Sequence, residues 1–201
     1  SFDCANKSLA YSLISIEDEG TKEIALKYKN EKKNKEIIID IDIYYKYIKY
    51  IDGGVIDLLE GKKLKEVTNV ERAKRLRKFI DDKKFAINED TEILIEKQPE
   101  ILNVKSCAIS DQLLFHFAKQ KKISTINSTL KNKISFNNEL AYNKFVSKYS
   151  NSYMANKNHA KDNFLYYIII SKQEHILDTI KKTNYNDIAD SFMQIIAHLV
   201  F

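Results

Sequence analysis

The chain has 201 residues, 44% of them hydrophobic, with 33 Lys+Arg against 28 Asp+Glu and a formal net charge of +5. That is a single-domain length with enough apolar residues for a core, and no apolar run approaches the about 18 to 20 residues that cross a bilayer. Two cysteines, Cys4 and Cys107, exclude a disulfide framework and lack metal-ligand spacing, which favours a reducing compartment. The basic balance permits a polyanionic partner wherever the cations cluster. No secretory signal is visible, and the chain opens so close to Asp3 that part of the first strand is expected to have been trimmed.

Phe2 to Lys7 reads as a strand-and-turn segment carrying Asp3. Leu9 to Ile16 is β-prone, Glu19-Gly20-Thr21 predicts a turn, and Ile24 to Tyr28 predicts the return strand of an antiparallel meander. Lys29 to Glu36 is a charged loop. Ile37 to Ile43 has strand character, although the pattern does not assign it to the main sheet. Gly53-Gly54 and Gly61 punctuate an irregular region. From Asn69, read as an N-cap, to Asp82, the spacing of Val70, Ala73, Leu76, Phe79 and Ile80 predicts an amphipathic helix. Arg72, Lys74, Arg75, Arg77 and Lys78 fall on its other faces.

Glu92 to Glu96 is a buried strand, after which Pro99 delays the next helix. That helix is predicted over Val104 to Lys119, with Ile109, Leu113, Leu114 and Phe117 on its packing side. Ile123 to Ile126 is a short strand. Helices are predicted over Leu140 to Tyr149, Ala160 to Ser171, Gln173 to Lys181 and Asp187 to Phe201, with Lys131 to Lys157 polar enough to hold a mobile loop. Antiparallel strands followed by strand, helix, strand and helix predict one domain built on a mixed α/β sheet.

The acids carry the chemistry. Asp3 and Glu96 belong to strand-end segments, while Asp187 and Asp190, three residues apart, share a face in the first turn of a helix that is apolar on most sides. Asn186 is a reasonable N-cap, and the helix dipole favours carboxylates there. Dipole compensation alone explains many such pairs. The buried surroundings and the two strand-end acids point instead to four carboxylates converging on one pocket, a hard-oxygen set suited to two divalent cations about 4 Å apart.

These residues lie in three blocks: Asp3-Cys4-Ala5-Asn6-Lys7-Ser8-Leu9-Ala10-Tyr11, Ile95-Glu96-Lys97-Gln98-Pro99 and Asp187-Ile188-Ala189-Asp190-Ser191-Phe192. In order and spacing they resemble the signature blocks of RuvC-type Holliday-junction resolvases, nearest to those of poxviruses, other large DNA viruses and fungal mitochondria. The resemblance spans nearly the whole chain. It implies an α/β, RNase H-like fold, with a mixed five-stranded sheet whose strands 1–3 are antiparallel and strands 4–5 parallel. It also implies a homodimer, and two Mg²⁺ ions per site, for which Mn²⁺ substitutes. The implied activity is paired, symmetric nicking of four-way DNA junctions, inside the cell at a viral replication site in the cytoplasm or in a mitochondrion.

The family's four acids map onto Asp3, Glu96, Asp187 and Asp190. Ala5 replaces the usual glycine, Ser8 the usual asparagine, Lys97 the usual arginine, and Asn186 stands where an extra aspartate is common. No metal ligand is lost by these changes. Lys157 and Lys161, in a basic stretch before a helix, are candidates to neutralise the scissile phosphate. Lys7, Lys97, Gln98, Lys157, His159 and Lys161 are the candidate nucleic-acid contacts near the site. Further cations for a shape-read junction are Arg72, Lys74, Arg75, Arg77 and Lys78, with Lys119, Lys121, Lys122, Lys131 and Lys133. Each basic cluster also reads as an ordinary solvated face, and His159 as a surface histidine without a catalytic part. His198 and His116 read as structural.

Three other readings remain open. Another RNase H-like nuclease acting on RNA–DNA hybrid or branched DNA would share the acids, and an inactive nucleic-acid-binding scaffold would share the fold. An actin-like ATPase is disfavoured by only four glycines and by the absence of a phosphate-cradling loop.

Overall fold

The computed structural model describes residues 1–201 apart from Asn6, Lys35, Lys84, Ala86, 99–103 and 137–151. In chain order the main elements are β1 (Phe2–Cys4), β2 (Ser8–Ile16), α1 (Asp18–Lys27), β3 (Ile37–Ile39), α2 (Ile41–Tyr47) and β4 (Ile48–Asp57). Then come α3 (Asn69–Lys83), β5 (Glu92–Lys97), α4 (Val104–Phe117), β6 (Lys122–Asn127), β7 (Ile134–Phe136), α5 (Ser152–Ile170) and α6 (Tyr185–Val200).

Five strands form a mixed sheet in the order β4-β2-β1-β5-β6. β2 runs antiparallel to both β1 and β4, whereas β5 is parallel to β1 and β6 to β5. β3 and β7 make a separate parallel pair. The chain is thus α/β, a five-stranded mixed sheet flanked by helices. Among the described residues no helix is long and apolar enough to cross a membrane.

Alternation along the central strands gives the sheet two packed faces. Phe2, Cys4, Leu9, Tyr11, Ile93 and Ile95 join Leu76 and Ile80 of α3 and Ile109, Leu113 and Phe117 of α4 in one core. On the other face, Ile188, Phe192, Ile196 and Val200 of α6 pack with Phe164 and Tyr167 of α5 and with Ile48 and Tyr50 of β4. Each of these fully buried side chains contributes about 1.5 to 3 kcal/mol, so α6 is a principal stabilising element. Ser12 Oγ donates to the Ile188 carbonyl at 3.1 Å, fixing α6 across β2.

Several expected elements are corrected. Residues 18–27 form α1, not a turn and return strand: Asp18 and Glu19 favour the helix N-terminus and Lys27 the C-terminus, while Gly20, Ile24 and Tyr28 are buried at a spacing of four. Gly20 is a helix contact, since a Cβ there would lie 2.3 Å from Tyr47 Cβ. The third antiparallel strand is β4, which contains Gly53-Gly54 and bulges at Ile51, where Leu13↔Asp52 is followed by Ile14↔Tyr50. Ile37 to Ile43 splits into β3 and the start of α2, where Asp40 accepts from the Asp42 amide.

The cap of α3 is Thr68 and not Asn69: the Thr68 hydroxyl accepts from Glu71 N at 3.2 Å and Glu71 Oε2 from Thr68 N at 2.8 Å, a reciprocal box. Arg72 is buried in α3 and so is not a free cation. α5 begins at Ser152, earlier than the expected Ala160. Residues Glu174–Thr179 form a 3₁₀ helix in place of the predicted Gln173 to Lys181 helix. α6 begins at Tyr185 with Asn184 at its N-cap, so Asn186 lies inside the first turn. The predicted helix over Leu140 to Tyr149 and the residue Pro99 lie outside the described residues.

Candidate active site

β1 and β5 are parallel neighbours, with Phe2 opposite Ile95. One residue further along each strand, Asp3 and Glu96 therefore stand side by side, and alternation turns both away from the Phe2 and Ile95 core toward the α6 face. From that face the first turns of α6 bring Asp187 and Asp190 to the same place. The four carboxylates line one pocket of about 390 Å³ at the carboxyl end of the parallel strands, where open α/β sheets gather functional groups.

Two lysines enter the same pocket. Lys157, in the first turns of α5, donates to Asp187 Oδ1 at 2.6 Å and lies 3.3 Å from Asp190 Oδ2. Lys131 sits on a 3₁₀ turn, Leu130–Lys133, that follows β6. Its Nζ is 3.4 Å from Asp190 Oδ1 and 3.7 Å from Glu96 Oε1, and its side chain is only 10% exposed. Sequence reasoning grouped Lys131 with surface cations and missed this position. Its one signal was proximity to the end of the Ile123 to Ile126 strand, parallel to the Glu96 strand. Polar side chains of Ser128, Thr129, Asn132 and Asn156 complete the pocket wall.

The electrostatics are those of a site short of positive charge. Burial, then hydrogen bonding to Glu96 and its charge, raise the Asp3 carboxyl well above the usual range, and the two lysines offset this only in part. Burial also raises Asp190, with Asp3 adding to the shift and Lys131 and Lys157 opposing it. Burial, the largest influence on Lys131, acts to lower its pKa, yet Asp3, Asp190 and Glu96 together raise it, so the ammonium group stays charged. Cys4, under the same carboxylates, is buried; burial and the charges of Asp3 and Glu96 push its thiol well up, so it is neutral and no nucleophile.

Among the described residues no three carboxylate, imidazole or thiol groups stand close enough together to hold a metal ion as they are placed. The donor chemistry nevertheless fits a divalent cation: the pocket acids are hard oxygens, and two of them have raised pKa values that added positive charge would relieve.

The other expected contacts divide. Gln98 donates to Glu96 Oε2 at 2.5 Å and lines the pocket. Lys7 and Lys97 are exposed just after β1 and at the end of β5, at the same end of the sheet. Lys161 is not a pocket-lining side chain, and its Nζ donates to Asn158 Oδ1 at 3.1 Å.

His159 is a correction, for it is 5% exposed and not on the surface. Its ring lies 3.2 Å from Ser135 Oγ, 3.1 Å from the Ile134 carbonyl and against the Asn163 amide; burial lowers its pKa, which keeps it neutral. That position removes it from phosphate contact. His198 is one-third exposed and not deep in the core, with Nε2 2.9 Å from Glu92 Oε1. His116 is exposed.

On α3, Arg75 is engaged by the Leu58 carbonyl and Glu60, which leaves Lys74, Arg77 and Lys78 facing outward. Lys121 and Lys122 pair with Glu89 and Asp90 at the surface. Compared with protein-family models, with curated proteins and with solved structures, the chain finds no match.

Proposed function

We propose that the protein is a Mg²⁺-dependent endonuclease of RNase H-like fold that resolves four-way DNA junctions, working as a homodimer. The observation that carries the reading is the convergence of Asp3 and Glu96, adjacent on parallel strands, with Asp187 and Asp190 from the facing helix, beside two partly buried lysines. The sheet is mixed and five-stranded, antiparallel among its first strands and parallel among its last, which agrees with the expectation.

In this reading the four acids hold the cations, which when bound would activate water and stabilise the leaving oxygen of a phosphodiester. Lys157 and Lys131 would meet phosphate oxygens and the charge that develops on them. Gln98 orients Glu96 through its amide. Burial of Glu96 and Asp190 keeps bulk water from the carboxylates, so that charge interactions are stronger there than at the surface. Lys7 and Lys97, exposed at the pocket's end of the sheet, suit a passing phosphate backbone.

The deciding experiment is cleavage of a synthetic mobile four-way junction beside linear duplex and RNA–DNA hybrid, each with MgCl₂ or EDTA and with Asp187→Asn as the control. Metal-dependent paired nicks in the junction, lost in the variant, are expected. Preference for the hybrid would move the protein to another nuclease class. A second reading, a junction-binding scaffold, draws on the ion pairs that Lys131 and Lys157 already make with the acids. Tight binding without cutting in Mg²⁺ or Mn²⁺ would favour it.

A further inference from the structure

We infer that Lys131 is a displaceable counter-cation, one that holds Asp190 and Glu96 together in the metal-free protein and gives way when a divalent cation binds. The inference rests on the metal-dependent reading above and adds to it a built-in control of metal affinity.

Three observations carry it. First, the ammonium group bridges carboxylates from two different elements, Asp190 of α6 and Glu96 of β5, and is nearly buried while doing so. Second, its distances of 3.4 and 3.7 Å exceed the about 2.7 to 2.9 Å of a close charge-assisted hydrogen bond, whereas Lys157 holds Asp187 at 2.6 Å. Of the two lysines, Lys131 is held by the field of several acids more than by one directed bond, and it rides on a short 3₁₀ turn, not on a long helix. Third, the charges compete. Four carboxylates face two ammonium groups in the pocket, so one divalent cation would complete neutralisation, and a second in addition to both lysines would over-neutralise it. Entry of a second cation is therefore eased as a lysine withdraws, which halves the surplus of positive charge.

The test uses the whole chain and MgCl₂ alone. Lys131→Met, which keeps most of the length of the side chain and removes its charge, is expected to bind Mg²⁺ about tenfold more tightly by titration calorimetry, because a competing cation has gone. It should melt at a lower temperature than the parent in EDTA and gain more from Mg²⁺. In the parent, acetylation of Lys131 followed by peptide mass spectrometry should accelerate several-fold on adding MgCl₂, with exposed Lys65 unchanged; this readout needs no variant to fold. If the parent binds Mg²⁺ while Lys131 stays equally protected, or if Lys131→Met binds Mg²⁺ no more tightly, the counter-cation role is overturned and the metal-dependent reading stands. If the parent binds no Mg²⁺ at all, both fall.

Discussion

Helix α5 serves two buried polar clusters within three residues of its length, and they differ in kind. On the His159 side, the ring meets the Ser135 hydroxyl and the Ile134 carbonyl, Asn163 Nδ2 donates to the His159 carbonyl at 2.9 Å, and Asn163 Oδ1 accepts from the Phe136 amide at 2.8 Å. All of these groups are neutral or turned to a partner. On the Lys157 side, acids outnumber cations, and burial pushes two of the acids toward protonation. A satisfied cluster ties β7 to α5 and stabilises the fold, whereas an under-neutralised cluster is destabilising unless a ligand completes it. The contrast marks the acid pocket, and not the His159 cluster, as the candidate site.

The largest expected effect falls on the under-neutralised side. Glu96→Gln and Asp187→Asn should each lower junction cleavage in MgCl₂ by at least about 100-fold, since substitutions even outside the ligands of metal sites cost about 10 to 100-fold. Neither should lower the melting temperature in EDTA. A large loss of stability instead would mean that the acids are structural and would erase the contrast.

Next in size is the satisfied cluster. His159→Leu removes the ring's bonds to the Ile134 carbonyl, Ser135 and Asn163, while Ser135 keeps Glu36 and Asn163 keeps the residue-159 carbonyl, so a cost of about 0.5 to 1.5 kcal/mol is expected, which lowers the melting temperature by about 1 to 6 °C in a chain of this length. Cleavage per folded molecule should be unchanged. Selective loss of cleavage at unchanged stability would move His159 into the site.

Asp3 supplies a pH test. Its folded pKa is raised above the ordinary 3.8 by burial and by Glu96, so the native state binds this proton more tightly than the unfolded chain does. The stability that the group contributes is complete below 3.8 and is lost as pH rises through the raised value. Urea unfolding in EDTA should therefore show Asp3→Asn to be more stable than the parent at neutral pH, with the gap closing as pH falls toward 3.8. A gap that is independent of pH would deny the repulsion. Smallest of all, Glu89→Gln, which breaks the exposed pair with Lys121, should change stability by less than about 0.5 kcal/mol, and it sets the scale for a charge outside either cluster.

Much of this was legible in the sequence because strand ends and helix first turns are local features. Asp3, Glu96, Asp187 and Asp190 were readable from apolar runs that end in acids and from an acidic pair opening an apolar helix. Lys131 was not, because its place depends on a 3₁₀ turn closing back over β6, and in sequence it resembles any lysine of a polar stretch. The His159 network escaped for the same reason: its partners in β7 lie 24 and 25 residues away. The α1 segment was misread because Ile24 to Tyr28 suits a strand or a helix equally, and the choice was made by Gly20, which lets α1 close against Tyr47. The Gly53-Gly54 pair looked like a break, yet both residues lie in β4 opposite Ser12 and Tyr11.

The ends of the described chain meet: Ser1 Oγ donates to Gln194 Oε1 at 2.9 Å, and Asp3 shares its pocket with Asp190. During synthesis, then, Asp3 emerges long before Asp187 and Asp190, and α6 must follow before it can dock over β1. Contacts of this sequence separation also place the pocket among the slower events of folding. A chain made only as far as α5 thus holds half of the acid constellation and no pocket.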